Sequence, residues 1–446
     1  MFKKTSRNIT EGNIVEQLML FFFPVLLGYI FQQLYNTVDA VVVGTFVGKE
    51  ALAAVGRTTG TSISLIVNFI WGLTSGVSVI VAQYYGKRDD EGVHKAVKTG
   101  MFVGFGLGFI MTIIGIIFTP TLLSLLNVPE EILGMSISYM QIFLAGLVPF
   151  MVYNVGASVL RAIGDSKRPL YFLILSAVVN TILDYIFVRY FNMGVNGAAI
   201  ATVIAQIVCC ILMLVLLAKT DDCYQFELKD FGFDKYLLKK TILIGFPSGI
   251  QSVVYSVSNL FIQASVNAFG TNTVAAYTAF GKIDGFYWNY DSAFGIACMT
   301  VVGQNYGARK IDRVKSTVKY SLLLELLGTF LISGVCFVLA RPLIGLFTSD
   351  EEVIEIGVRM MRFLSVTWFL FNPIEIISST CKACGSTLIP MIISAVGICG
   401  SRILYLLTYP YKNVIEALYC YPISWLITSI AFIIYYLKGS WMKKNI

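Results

Sequence analysis

Twelve stretches of this chain are each long and apolar enough to cross a lipid bilayer, and that fixes most of what it can fold into. A helix needs about 20 apolar residues to span the hydrocarbon core. Such runs fall near residues 14–43, 51–82, 95–119, 130–152, 169–190 and 195–218. Six more fall near 240–266, 274–302, 316–340, 352–376, 388–409 and 413–437. Several exceed 25 residues, so tilt or extension beyond the lipid is expected.

Composition agrees. Charged residues make up 13% of the chain, where soluble domains carry about 25%. The mean hydropathy is +0.75. A net charge of +7 would suggest nucleic acid in a soluble protein. Here the basic residues sit between apolar runs and read as topology signals, with the lipid bilayer and not nucleic acid as the partner. Residues 1–10 are short and basic, and no small-residue cleavage site follows, so the first helix is expected to stay in the protein. Cys381 and Cys384 have CxxC spacing without a thioredoxin-like context. With one histidine, His94, and no HExxH, neither a zinc enzyme nor any other enzyme is expected, and no cofactor.

Lysine and arginine fix the expected orientation. With the N-terminus cytoplasmic, the inside segments hold 24 of the 33 basic residues, while outside loops hold only Lys49, Arg189, Arg341 and Lys412. Both termini are then expected in the cytoplasm, and the absence of targeting segments fits a prokaryotic plasma membrane.

The two halves repeat. Val81-Ala-Gln83-Tyr-Tyr85-Gly86-Lys-Arg88 matches Val302-Gly-Gln304-Asn-Tyr306-Gly307-Ala-Arg309 at an offset of 221 residues. The register continues through Val93/Val314, Val97/Val318 and Lys98/Lys319, and returns at Gly164/Gly385 and Pro169/Pro390. Pro24 matches Pro247, and Asn36 matches Asn259, at offset 223. A duplicated six-helix unit follows. Six is even, so both copies face the same way. The expected fold is an all-α polytopic membrane protein: twelve transmembrane helices in two six-helix bundles, V-shaped around a central cavity. The N-lobe covers 1–218, a cytoplasmic linker 219–240 and the C-lobe 241–446. Two covalently joined lobes make a monomer sufficient, and such a pair suits alternating access better than a channel.

Ionisable residues at membrane depth are functional candidates by default. Asp39 lies deep in the first run, on one helical face with Gln32 and Asn36. Pro24, one face-repeat below, can kink that helix. Asn180 and Asp184 share a face of the fifth run, and Thr202 follows the Asn196-Gly197 turn into the sixth. Two carboxylates, an amide and a hydroxyl offer hard oxygen ligands, as alkali cations need. Two nearby carboxylates in low dielectric must otherwise take up a proton. The competing reading pairs Asp184 with Arg189, or leaves Asp39 near a helix end. Polar cavity candidates are Gln32, Tyr35, Asn36 and Asn154 in the first half. In the second they are Tyr255, Asn259 and Gln263, with Asp291 among aromatics and Glu375 after Asn372-Pro373. Glu325 is also deep. Interfacial tyrosine and tryptophan, or amides that only knit helices together, explain the same residues blandly.

The paired Gln-x-x-Gly loops at Gln83–Gly86 and Gln304–Gly307, the Gly164 and Gly385 turns and the helix prolines Pro24 and Pro247 resemble the MATE (multidrug and toxic compound extrusion) family over nearly the whole chain. The resemblance implies a secondary exporter driven by H⁺ or Na⁺ and moving hydrophobic, cationic compounds. In the DinF-type branch an Asp of helix one, an Asn and Asp of helix five and a Thr of helix six form a cation site. Asp39, Asn180, Asp184 and Thr202 match those positions. The NorM-type branch uses a glutamate of helix seven, but Ile262 stands near that place and the helix has no acid. The expected mechanism is rocker-switch antiport of amphipathic small molecules. The alternative is a flippase for a lipid-linked glycan, disfavoured because the deep charges are mostly acidic.

Overall fold

In a bilayer every backbone N–H and C=O must find a partner inside the chain, so apolar runs become helices. The computed structural model, which describes residues 9–56, 58–126 and 128–443, is helical throughout and has no strand among them. Among the described residues nine helices are long and apolar enough to cross a membrane, and the bent pair Glu130–Ala145 and Leu147–Ala162 makes a tenth. The remaining two of the twelve are the most polar. Thr271–Gly307 carries Lys282, Asp284 and Asp291. Its counterpart two spans on is broken into Glu351–Ser365, a 3₁₀ turn and Asn372–Ala383, with Pro373 in the first turn of the last piece. Proline there lacks only a donor that a helix start leaves unpaired anyway.

Two compact units form. One holds Phe23–Gly245, the other Ile9–Phe22 with Phe246–Ile446. The first span, Ile14–Phe46, therefore starts in the second unit and ends in the first, and the seventh span, Lys235–Asn267, does the reverse. Pro24 and Pro247 lie within two residues of these changes of unit. A cut of the chain at 219–240 does not capture this exchange, because each helix start is tied down by polar groups of the unit it joins. Within the second unit Arg313 donates to the carbonyls of Gly12 (3.0 Å) and Ile9 (3.4 Å) and to Gln17 Oε1 (3.3 Å). Lys310 Nζ donates to the Thr10 carbonyl at 2.9 Å. Within the first unit the Asp234 N–H donates to Thr99 Oγ1 at 3.0 Å, and Phe231 and Phe233 pack on Phe102.

The first unit also brings the second and seventh spans into backbone contact. A Cβ on Gly76 would lie 2.6 Å from the Thr241 carbonyl oxygen, and one on Gly245 would strike the Leu73 carbonyl. Only glycine fits at either place.

The repeat is visible in the backbone. Arg88 and Arg309 both have positive φ (61° and 58°), as do Gly164 and Gly385 (105° and 80°). A non-glycine residue in that region is uncommon, so the same strained turn recurs after the second and eighth spans. The turn before the sixth span is one point of correction. It is made by Asn192 and Gly194, both with positive φ, and Asn196 and Gly197 already lie in the helix Gly194–Lys219.

Candidate functional site

The fifth span runs as an α-helix over Lys167–Asp184 and then widens into a π-helical turn at Tyr185–Tyr190. Asn180 and Asp184 are four residues apart on its face toward the sixth span. Both are buried, as are Asp39 and Thr202, and Asp184 is fully so. Asn180 Nδ2 donates to Thr202 Oγ1 at 3.4 Å, and Thr202 Oγ1 donates onward to the Ala198 carbonyl at 3.0 Å. The Asp39 carboxylate faces Asp184, Thr202 and Asn180. The first unit thus brings together all four residues singled out for a cation. The pairing of Asp184 with Arg189 is not seen. Arg189 instead lies over the Phe46 ring at 5.4 Å.

The electrostatics of this group are unbalanced. Among the described residues, Asp39 Oδ1, Asn180 Oδ1 and both Asp184 oxygens are buried without a hydrogen-bond donor. Such orphaned acceptors are rare in native proteins because each costs its full desolvation. A proton on one carboxyl, or a cation among the oxygens, removes the imbalance. Among the described residues no group of three or more His, Cys, Asp or Glu side chains is arranged to hold a metal ion. An alkali ion here would rest on two carboxylates with the Asn180 and Thr202 oxygens.

The other first-half candidates are dispersed. Gln32, Tyr35 and Pro24 are half-buried in the first span. Asn154 is buried but donates to the Phe150 carbonyl of its own helix at 2.8 Å, an arrangement that serves the helix. The side chain of Asn36 lies outside the described residues.

In the second unit Gln263 donates to Asn267 at 2.8 Å within the seventh span, and Ile262 is fully buried. Tyr255 bonds Ser394 Oγ at 3.0 Å, and Gln251 Nε2 donates to the same oxygen at 2.7 Å. Asp291 and Glu325 are buried facing each other. Asp291 Oδ1 and both Glu325 carboxylate oxygens lack donors. Glu375 accepts from Ser379 at 3.2 Å and lies against Gly295, where a Cβ would overlap it.

Sequence reasoning missed two charged residues of this unit. Arg402 of the eleventh span is buried. Its Nε donates to Ser424 Oγ (3.0 Å), and its Nη1 to Ser258 Oγ (3.2 Å) and Asn259 Oδ1 (3.1 Å). Asp284 of the eighth span accepts from Trp288 Nε1 at 2.7 Å. Asp284 and Trp288 stand four residues apart, a one-face spacing that a reading of the sequence can find. Nothing in the sequence shows what Arg402 touches.

Comparison with known proteins follows the same division. The MatE family matches the chain twice, over residues 24–186 and 247–407. The chain is 30% identical over 452 residues to the probable multidrug resistance protein YoeA of Bacillus subtilis, covering 98% of this chain and 96% of that one. It is 24% identical over 457 residues to the probable multidrug resistance protein NorM of Thermotoga maritima, covering 100% and 97%. A solved structure described as the outward-facing conformation of a multidrug resistance MATE family transporter superposes with a TM-score of 0.92 at 23% identity, with complete coverage of both chains.

Proposed function

Because the chain belongs to the MatE family, whose relatives matched here are named multidrug resistance and export proteins, we propose that it exports hydrophobic, cationic compounds in exchange for H⁺ or Na⁺ by alternating access. The observation that carries the ion coupling is the buried set of unpartnered oxygens on Asp39, Asn180 and Asp184. A site that needs a cation or a proton to be electrostatically sound changes its preferred packing when it gains or loses one. Asp39 and Pro24 are on the same helix, and Pro24 removes a backbone hydrogen bond from it. Ion binding at Asp39 is thereby coupled to bending of the first span. The prolines beside the two changes of unit are suitable hinges for a rocker-switch motion.

The driving force is adequate. One charge crossing inward supplies about 2.3 kcal/mol per 100 mV. At about 1.4 kcal/mol per tenfold, that sustains a gradient of roughly 40-fold for a substrate without net charge, whereas a monovalent cation leaving in exchange cancels it and draws on the pH or Na⁺ gradient alone. The protein then sits in the plasma membrane of a prokaryote with both termini cytoplasmic and works as a monomer.

The test uses purified protein in liposomes preloaded with ethidium, with pH and Na⁺ gradients imposed separately. Movement under one gradient, lost in Asp39→Asn, supports the proposal and identifies the ion. Equal transport by wild type, Asp39→Asn and Asp184→Asn overturns the coupling site. No movement under either gradient puts the second reading first, a flippase for lipid-linked substrates, which the buried basic residue Arg402 favours.

A further inference from the structure

Arg402 stands directly after a π-helical segment, Ala395–Gly400, that interrupts the eleventh span. Its three hydrogen bonds all go to neutral oxygens, on Ser424, Ser258 and Asn259. Among the described residues no carboxylate lies within ion-pair distance of it. Arginine has five N–H donors, and Nη2 makes no hydrogen bond among those residues. A buried guanidinium at membrane depth is costly, and such residues ordinarily pair with an acid. A joint between helices needs only an amide. The charge is therefore in excess of what the packing requires. It is also close to the surface of the unit, since Asn259, which it holds, is exposed.

Around Arg402 the unit is aromatic. The guanidinium lies over the Tyr421 ring at 4.6 Å. Tyr421 meets Trp425 at 5.2 Å, Trp425 meets Trp288 at 5.9 Å, and Trp288 donates to Asp284. Trp425 Nε1 is buried with no acceptor. A cation, a row of rings that reaches the half-buried Trp288, and the half-buried Asp284 carboxylate follow one another. Flat aromatic molecules stack on such a wall, and cations are attracted to its faces.

We propose that Arg402 is a specificity-determining residue that receives the carboxylate of aromatic zwitterions, with their cationic end toward Asp284. Nε and Nη1 are taken by Ser424, Ser258 and Asn259, so Nη2 is the donor left to receive the carboxylate, in a charge-assisted hydrogen bond. The proposal deepens the transport reading and rests on it, because it names the charge pattern that the substrate site prefers.

Rhodamine B and its ethyl ester form a matched pair. Both carry the same xanthylium cation, and only the first has a free carboxylate. Binding to the purified full-length protein in detergent is followed by fluorescence anisotropy at neutral pH. Wild type is expected to bind rhodamine B about tenfold more tightly than the ester, a difference of about 1.4 kcal/mol. Arg402→Gln should remove that preference while changing ester affinity less than about twofold, and Arg402→Lys should restore part of it. The ester itself reports that the variant is folded. Equal wild-type affinity for the two dyes overturns the proposal without recourse to any variant. An equal loss of both dyes in Arg402→Gln, with unchanged melting temperature, also overturns it and makes Arg402 a structural joint. No gradient is involved, so failure of ion coupling leaves this result readable, and failure of the dye preference leaves the antiport experiment untouched.

Discussion

Asn180 of the fifth span donates its amide N–H to the hydroxyl of Thr202 in the sixth, at 3.4 Å. That bond fixes which way the amide faces. Its oxygen is buried without a donor among the described residues. With one oxygen of Asp39 and both of Asp184, four buried oxygens lack donors among the described residues. On the proposed reading a cation would meet an amide already held by Thr202, which lowers the ordering cost of binding.

Thr202→Val keeps the shape of the side chain and removes its oxygen. Asn180 Nδ2 then loses its acceptor and is free to turn toward a carboxylate, in competition with the proposed coupling ion. Leaving a buried donor without its partner costs about 1–3 kcal/mol, so gradient-driven efflux in liposomes should fall about tenfold. Thr202→Ser keeps the oxygen and should transport within about threefold of wild type. Equal rates for the valine and serine variants would remove Thr202 from the site.

The sequence makes much of this legible, and the reasons differ by residue. Asn180 and Asp184 stand four apart in an apolar run, and helical geometry alone puts them on one face. The duplication is carried by short loop motifs whose backbone is strained, at Arg88 and Arg309, and strained turns tolerate few residues. Arg402 is different. Its acceptors Ser258 and Asn259 lie over 140 residues away in the chain, and serine in a membrane helix is too common to attract notice. The start of the first span is equally hidden. Arg313 reads as one more cytoplasmic charge until the fold places Ile9 and Gly12 beside it. Asn154 shows a further limit, because a polar side chain in an apolar run bonds its own helix, a contact that the sequence does not distinguish from a role in a cavity.

Gly76 and Gly245 mark where the second and seventh spans touch backbone to backbone. Gly76→Ala places a methyl 2.6 Å from the Thr241 carbonyl oxygen, and neither backbone has a flexible end to yield. Overpacking of this kind costs about 1–3 kcal/mol. Its melting temperature in detergent should fall measurably, and Gly245→Ala should do the same. Gly134→Ala is the control, since nothing lies within 4 Å of a Cβ there. It should be neutral or slightly stabilising through better helix propensity. A fall at Gly134 matching that at Gly76 would show that the contact is not the cause.

Cys223 lies between the sixth and seventh spans. Burial, then the neighbouring Asp90 carboxylate, pushes its thiol up to about 12. The thiolate is the reactive species, and at pH 8 only about one molecule in 10⁴ carries it, against about one in four for an ordinary cysteine. Iodoacetamide should therefore label Cys223 far more slowly than a free thiol. The sign for stability follows from the raised value. The folded state holds its proton where the unfolded chain has lost it, so this contribution is present below about pH 8.5 and is lost as pH rises toward 12. Asp90→Asn removes a charge that opposes the thiolate and should speed labelling. Rapid labelling of the wild type, comparable to that of the urea-unfolded chain, would contradict the buried environment.

Arg313 holds the start of the first span in the second unit through the carbonyls of Ile9 and Gly12 and the amide oxygen of Gln17. Its Nε also donates to Asn305 Oδ1 at 3.1 Å, so the guanidinium is steered before it reaches the segment. Three acceptors from one short stretch cannot be served by a shorter or uncharged donor. Part of the site is solvent-exposed, and each bond is worth less there than in the interior. Even so, their joint loss in Arg313→Gln should raise amide hydrogen exchange over residues 9–17 by about tenfold or more, with little change in the core of the same unit. Local opening of this kind is the lowest rung of native-state fluctuation. The segment is also the lower anchor of the helix that carries Pro24 and Asp39. On the proposed reading, a bend at Pro24 is transmitted only if the helix start before the proline is held. Transport by Arg313→Gln should consequently fall even though no residue near Asp39 has changed. Ion binding measured without transport should stay intact. Unchanged exchange at residues 9–17 together with unchanged transport would mean that Lys310 and packing hold the segment without Arg313.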